Sequence, residues 1–224
     1  MRFEAVLFDC DGVLVDSEPI TNGVLRDMLA EAGWTLSPEE CMRLFVGKAV
    51  RDEAALIESN TGRPLTEPWL HEFRQRRNVA LLRDLQAIHN AHAAVRAVHA
   101  AAQGRIACAS GADRHKVEIQ LRKVELLHYF EGRIFSGHEM PRSKPAPDVY
   151  LAAMAALGAR AAHCAVVEDT PTGVRAGVAA GAWVLGYVPP QAPSDTARLL
   201  REAGAAQVFD DMGALPGLLA SASP

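Results

Sequence analysis

The chain has 224 residues, 49% of them hydrophobic and 22% charged, with a formal net charge of −4. That is room for one large domain, or a domain with a sizeable insertion, around a real core. The acidic balance speaks against nonspecific nucleic-acid binding, no apolar run approaches the roughly 18 residues of a membrane span, and nothing at the start resembles a signal peptide.

The first element is the apolar run Ala5-Val6-Leu7-Phe8, which reads as a fully buried strand. It ends in two carboxylates, Asp9 and Asp11, with Gly12 after them to turn the backbone sharply. From residue 16 to about 88 no buried strand is expected. Val24, Leu25, Met28 and Leu29 recur at helical spacing before Gly33, and Ser37-Pro38-Glu39-Glu40 carries the serine, proline and glutamate of a capped helix start. Gly62, Pro64 and Pro68 mark a loop, and Pro68 to Leu85 is helical again. This block reads as an all-helical unit inserted after the first strand.

Farther on, strands and helices alternate. Strands are expected at 105–109, 134–136, 164–167, 183–187 and 207–209. The intervening helices include one capped by Asp113 with the stripe Val117, Leu121 and Val124, and others over 146–157, 171–180 and 195–203. Alternation of this kind implies parallel crossovers and a layered α/β sheet. The helix after Pro171 carries a small face, Gly173, Ala176, Gly177 and Ala180, suited to lying close on a sheet. The tail Ser221-Ala222-Ser223-Pro224 is expected to be loose. Cys10, Cys41, Cys108 and Cys164 form no C-x-x-C pair and read as buried, reduced thiols of a cytosolic protein.

In a parallel sheet the carboxyl ends of all strands lie on one edge, where ligands bind. Ser110-Gly111, Lys144 and Glu168-Asp169 follow three of the later strands and so converge on Asp9 and Asp11. A hydroxyl and backbone N–H groups at a helix start make an anion cradle. Clustered carboxylates suit a hard divalent cation such as Mg²⁺. Taken singly, Ser110 and Asp169 read as helix caps and Lys144 as a solvated lysine; their convergence argues for a site.

Asp9-x-Asp11-Gly12, Ser110, Lys144 and Glu168-Asp169 stand in the order and spacing of the four motifs of the haloacid dehalogenase superfamily, and the chain resembles its phosphatase and β-phosphoglucomutase-like branch. The resemblance implies an α/β fold: a Rossmann-like parallel core over 1–15 and 90–224 with a helical cap over 16–89. It further implies that Asp9 is the nucleophile, that Asp11 is the general acid/base, and that Ser110, Gly111 and Lys144 bind the phosphoryl group. Mg²⁺ would be held by Asp9, Asp11 through its carbonyl, and Asp169, with Glu168 nearby or ligating. Asp11 favours phosphoryl transfer over dehalogenation, because a halide leaves without a proton. The Pro-Gly that often marks the return to the core is absent; Gln86-Ala87-Ile88-His89-Asn90 stands there.

The implied activity is Mg²⁺-dependent hydrolysis of a small phosphorylated metabolite, a sugar phosphate or similar, by a cytoplasmic monomer or weak dimer that binds neither nucleic acid nor membrane. A phosphosugar mutase is the alternative; by the resemblance, Thr21 stands where the mutases carry their cap histidine, and no histidine lies between Asp16 and Glu67. A non-catalytic binding protein on the same scaffold is the alternative of another class. Cap candidates for substrate contact are Glu18, Lys48, Arg51 and Arg77, although Arg74, Arg76 and Arg77 also read as a solvated helix face. His89, His92 and His99 lack the partners of a zinc site.

Overall fold

The computed structural model describes residues 2–190 and 192–222. Six parallel strands form one sheet: β1 (Ala5–Phe8), β2 (Ile106–Ser110), β3 (Ile134–Ser136), β4 (Cys164–Glu168), β5 (Trp183–Tyr187) and β6 (Gln207–Phe209). Their order is β3-β2-β1-β4-β5-β6. The chain builds outward from β1 to one side, then returns to build outward on the other. The direction reverses between β1 and β4, and the carboxyl edge at such a switch point is where open α/β sheets bind ligands. Every residue of β1, β2 and β4 is buried, as uninterrupted apolar runs require when helices cover both faces. Phe8 pairs with Cys108 on one side and Val167 on the other, so Asp9 emerges level with the ends of both neighbours.

The chain divides into two compact units, one of Ser17–Leu85 and one of the residues before and after it. The first is all helical: α1 (Glu18–Glu31), α2 (Pro38–Phe45), α3 (Ala54–Thr61) and α4 (Glu67–Asp84). Its core gathers Leu25, Met28, Leu29, Cys41, Phe45, Ile57 and Phe73. Ser37 caps α2 in a reciprocal box with Glu40, each side chain bonding the other's backbone N–H. Pro68, expected to end the loop and open the next helix, lies inside the first turn of α4, where its missing N–H costs nothing.

In the larger unit, the segments that leave and re-enter the sheet run side by side. Asp16 N–H donates to the Gln86 carbonyl and Ile88 N–H to that of Leu14. Near the return to the sheet, where no Pro-Gly stands, Asn90 takes the left-handed conformation, at φ 63°. Asparagine is among the few side chains that tolerate it. Helices α5 (Ala91–Ala101), α6 (Arg114–Lys123), α7 (Leu127–Phe130), α8 (Asp148–Ala156), α9 (Pro171–Ala179), α10 (Thr196–Glu202) and α11 (Leu215–Ser221) follow. Helix α5, outside the expected alternation, buries Ala91, Ala94, Val95 and Val98, a stripe half of alanine and therefore faint in a hydropathy pattern. Helix α8 starts two residues later than expected, after Pro147. At the tail, Ser221 is still helical and Ala222 is buried, so these two are not loose; Ser223 and Pro224 lie outside the described residues. On α9, a Cβ at Gly177 would press into Val184 and Val166, which is why this small-faced helix can lie so close on the sheet. All four cysteines are buried and free, and no helix among the described residues is long and apolar enough to cross a membrane.

Candidate active site

At the carboxyl edge of β1 and β4 the charged groups named from sequence meet. Lys144 reaches between two carboxylates, with Nζ donating to Asp9 Oδ1 at 2.6 Å, Glu168 Oε1 at 2.7 Å and the Ala109 carbonyl at 3.0 Å. All three of its N–H bonds are used. Its side chain is 8% exposed, so the solvated-lysine reading is wrong. A buried ammonium persists only when paired. Burial is the largest influence on Asp9 and pushes its carboxyl up to about 7, against the opposing pull of Lys144 and with the help of Glu168 and Asp11. Burial pulls Lys144 down, but Asp9 and Glu168 outweigh it and hold the ammonium well above its usual range.

Glu168 is 1% exposed and saturated by donors. Oε1 accepts from Lys144 and from the Tyr150 hydroxyl at 2.8 Å. Oε2 accepts from the backbone of Asp169 and Thr170 and from Thr170 Oγ1, at 3.1–3.2 Å. It thus sits on the N-terminus of α9, whose dipole favours a carboxylate there. A Cβ at Gly173 would overlap the Glu168 carboxyl group. Gly173→Ala is therefore expected to cost about 1–3 kcal/mol and to lower turnover with it, because the carboxylate must leave its donors. A thermal melt and an activity assay check this; a variant matching the unmodified protein in both would show that the carboxylate can shift freely.

Asp169 lies against Gly12, where a Cβ would strike its Oδ2. Gly12 has φ +74°, so the sharp turn and the close approach both demand glycine. Oxygens of Asp9, Glu168 and Asp169 fall within 4.8 Å of one another, the one such group among the described residues. Two of these carboxylates share Lys144 and the third lies close to both, an all-oxygen cluster. That donor set fits a hard divalent cation.

Asp11 Oδ1 accepts from Lys116 Nζ at 2.8 Å and Gln120 Nε2 at 2.7 Å, both on α6. Ser110 closes β2, and its Oγ accepts from the Ala112 N–H, while Ser136 Oγ donates to the Ala112 carbonyl. Gly111 is thereby held in a short turn leading to α6, which Asp113 caps through the Lys116 N–H.

The four remaining candidates belong to the helical unit. Lys48 pairs with Glu53 at 3.2 Å and Arg51 with Glu67 at 2.6 Å, while Glu18 accepts from the Asn22 amide at 3.0 Å. Arg77 is buried rather than solvated. Its guanidinium lies 5.9 Å over the Phe73 ring and donates twice to Asn78, whereas Arg76 is the surface arginine, bound to Glu31 and Glu72. Of the histidines, His92 bonds the Val124 carbonyl and His99 packs on Tyr129.

Lys116, Gln120, Tyr150 and Thr170 were missed from sequence. The available signal was polar residues beside apolar helix stripes: Lys116 and Gln120 flank Val117 and Leu121 one helical turn apart.

Residues 3–181 match the family described as haloacid dehalogenase-like hydrolase. The chain belongs to that family. This haloacid dehalogenase-like hydrolase is 35% identical over 182 residues to the 6-phosphogluconate phosphatase of Escherichia coli K12, spanning 80% of each chain. Among solved structures it is similar to a haloacid dehalogenase-like protein of unknown function from Agrobacterium tumefaciens C58, with a TM-score of 0.82, 32% identity and 98% of both chains covered. It is also similar to a haloacid dehalogenase family hydrolase from Deinococcus radiodurans R1 with bound phosphate and sodium, at TM-score 0.79 and 34% identity over 99% of both chains.

Proposed function

We propose that this hydrolase is a Mg²⁺-dependent phosphatase that cleaves a small phosphate monoester, a sugar phosphate or similar, through an aspartyl-phosphate on Asp9. The observation that carries this reading is Asp9 bonded to Lys144 at the sheet's switch point, two residues from a second carboxylate held on separate donors. A pair of acids in different surroundings suits two different roles. Similarity to the Escherichia coli 6-phosphogluconate phosphatase supports the substrate class.

Asp9 Oδ attacks phosphorus, and Asp11 passes its proton to the departing alkoxide. Asp11 then takes a proton from water as water attacks the acyl phosphate, regenerating Asp9. Lys144 keeps Asp9 oriented and offsets negative charge on the phosphoryl oxygens. Ser110 and the N–H of Gly111 bind those oxygens. Asp9, Asp169 and the Asp11 carbonyl would hold Mg²⁺, which when bound supplies positive charge against the phosphoryl group. Saturation of Glu168 by five donors supports a role in holding Lys144 rather than ligating the metal. Glu18, Lys48, Arg51 and Arg77 are assigned to substrate reading on the strength of the resemblance to the family's cap.

Phosphate release from a panel of small phosphate esters, with Mg²⁺ and with EDTA, tests the proposal. Release should fall by about 100-fold or more in EDTA and return on adding Mg²⁺. Isomerised ester without free phosphate would point to a mutase, and a folded protein inert to every ester would overturn the enzymatic reading.

A further inference from the structure

Helix α6 buries two polar side chains that the reaction outlined above does not use. Lys116 is 7% exposed and Gln120 is fully buried. They stand four residues apart and so share one helical face, on a helix whose neighbouring positions are the buried Val117 and Leu121. Both donate to the same atom, Oδ1 of Asp11. Gln120 is itself oriented, because its Oε1 accepts from the Cys10 thiol at 3.4 Å, which leaves its amide N–H₂ to face the carboxylate. The backbone of Asp11 is fixed too: Gly12 N–H donates to the Val15 carbonyl and Leu14 N–H to that of Cys10. Burying a lysine and a glutamine under a sheet edge is costly unless each is bonded. A purely structural face would be filled by aliphatic side chains at no such cost.

We propose that Lys116 and Gln120 are positioning residues that hold Asp11 as the proton-transferring group, an inference that rests on the phosphatase reading. Two N–H donors on Oδ1 leave the proton to be carried on Oδ2. When the bond between phosphorus and the alcohol oxygen breaks, that proton passes from Oδ2 to the alkoxide, and Asp11 becomes a carboxylate already faced by the Lys116 ammonium. The proton lost by the attacking water in the second step returns to Oδ2. The charge that develops on Asp11 thus meets a donor set that needs no rearrangement.

The test uses two esters with the same phosphoryl group and different demands on the acid. Phenyl phosphate releases a poor leaving group, which needs the proton, and 4-nitrophenyl phosphate releases a good one, which does not. The quantity read is kcat/KM, which covers phosphoryl transfer to Asp9 and excludes the later hydrolysis. Lys116→Met should lower kcat/KM for phenyl phosphate about 30-fold or more beyond any fall for 4-nitrophenyl phosphate, within the range of general-acid catalysis. Gln120→Met should show the same bias more weakly. In an Asp11→Asn background, Lys116→Met should add no further selective loss. Equal falls on both esters would place Lys116 on the phosphoryl group or in a structural role and overturn the positioning. If Lys116→Met does not fold, the Gln120→Met ratio decides the matter in the same way. A wild-type protein that releases phosphate from neither these esters nor any of the wider panel would overturn the phosphatase reading itself, and the positioning with it; for one active only on the wider panel, alkyl phosphates of differing leaving-group acidity replace the aryl pair and the same selective fall decides.

Discussion

Asp9→Asn is expected to lose phosphate release by about 10⁴-fold or more, the scale on which removal of a covalent nucleophile is felt, while keeping its fold. The amide preserves the shape of the carboxyl group and can still accept from Lys144, whose other contacts, Glu168 and the Ala109 carbonyl, are untouched. Stability should move in the opposite direction to activity. Burial raises the Asp9 carboxyl to about 7 in the folded protein, from 3.8 as the ordinary value. The native state therefore binds this proton more readily than the unfolded chain, and stability falls as pH rises from about 4 to about 7. In metal-free buffer, Asp9→Asn should melt above the unmodified protein at pH 8, and the gap should close toward pH 4. Melting curves over that range, beside phosphate assays, check both halves. A variant that keeps a tenth of the activity would remove Asp9 from the chemistry.

Lys144→Met should be the most destabilising of the single changes considered, besides abolishing turnover. It strips the shared cation from two buried carboxylates whose oxygens lie close together. Removing one partner of a buried ion pair costs about 3–5 kcal/mol, since the remaining charges are left uncompensated. Asp9, whose carboxyl burial already pushes up to about 7, relieves this by taking up a proton, so the deficit should be larger at pH 8 than at pH 5. Mg²⁺ should recover part of the lost melting temperature, because a cation that binds only the folded form stabilises it by mass action. Chemical denaturation at two pH values, with and without Mg²⁺, reads all three effects. A deficit that shrinks as pH rises would mean that the carboxylates are not what Lys144 compensates.

Much of the site was legible in the sequence because its members are the residues that end strands. A buried parallel strand is a short, uninterrupted apolar run, and Asp9, Ser110 and Glu168 each stand where such a run stops. Lys144 shows the limit. Its spacing placed it near the site, but only the fold turns it inward between Asp9 and Glu168. Lys116 and Gln120 were hidden differently. Their helix advertises the stripe Val117, Leu121 and Val124, and a lysine beside such a stripe is usually at the surface. Nothing local shows that the end of β1 stands against them. Tyr150 was silent for the same reason, an ordinary apolar helix position whose hydroxyl happens to meet Glu168. Arg77 reversed the expectation of a solvated arginine face by lying over Phe73 one turn earlier. Asn90 takes a left-handed conformation at the return to the core with no glycine in the sequence to announce it.

The most direct measurement is to trap the phosphoryl group on the enzyme. The protein is mixed with a turned-over ester and Mg²⁺, quenched within milliseconds, reduced with borohydride and digested for peptide mass analysis. An acyl phosphate on Asp9 is reduced to the alcohol, so the predicted result is a homoserine mass at position 9 that appears only with ester present. Steady phosphate release with position 9 recovered solely as aspartate would contradict nucleophilic attack by Asp9, and would assign the hydrolysis to water acting on the ester itself.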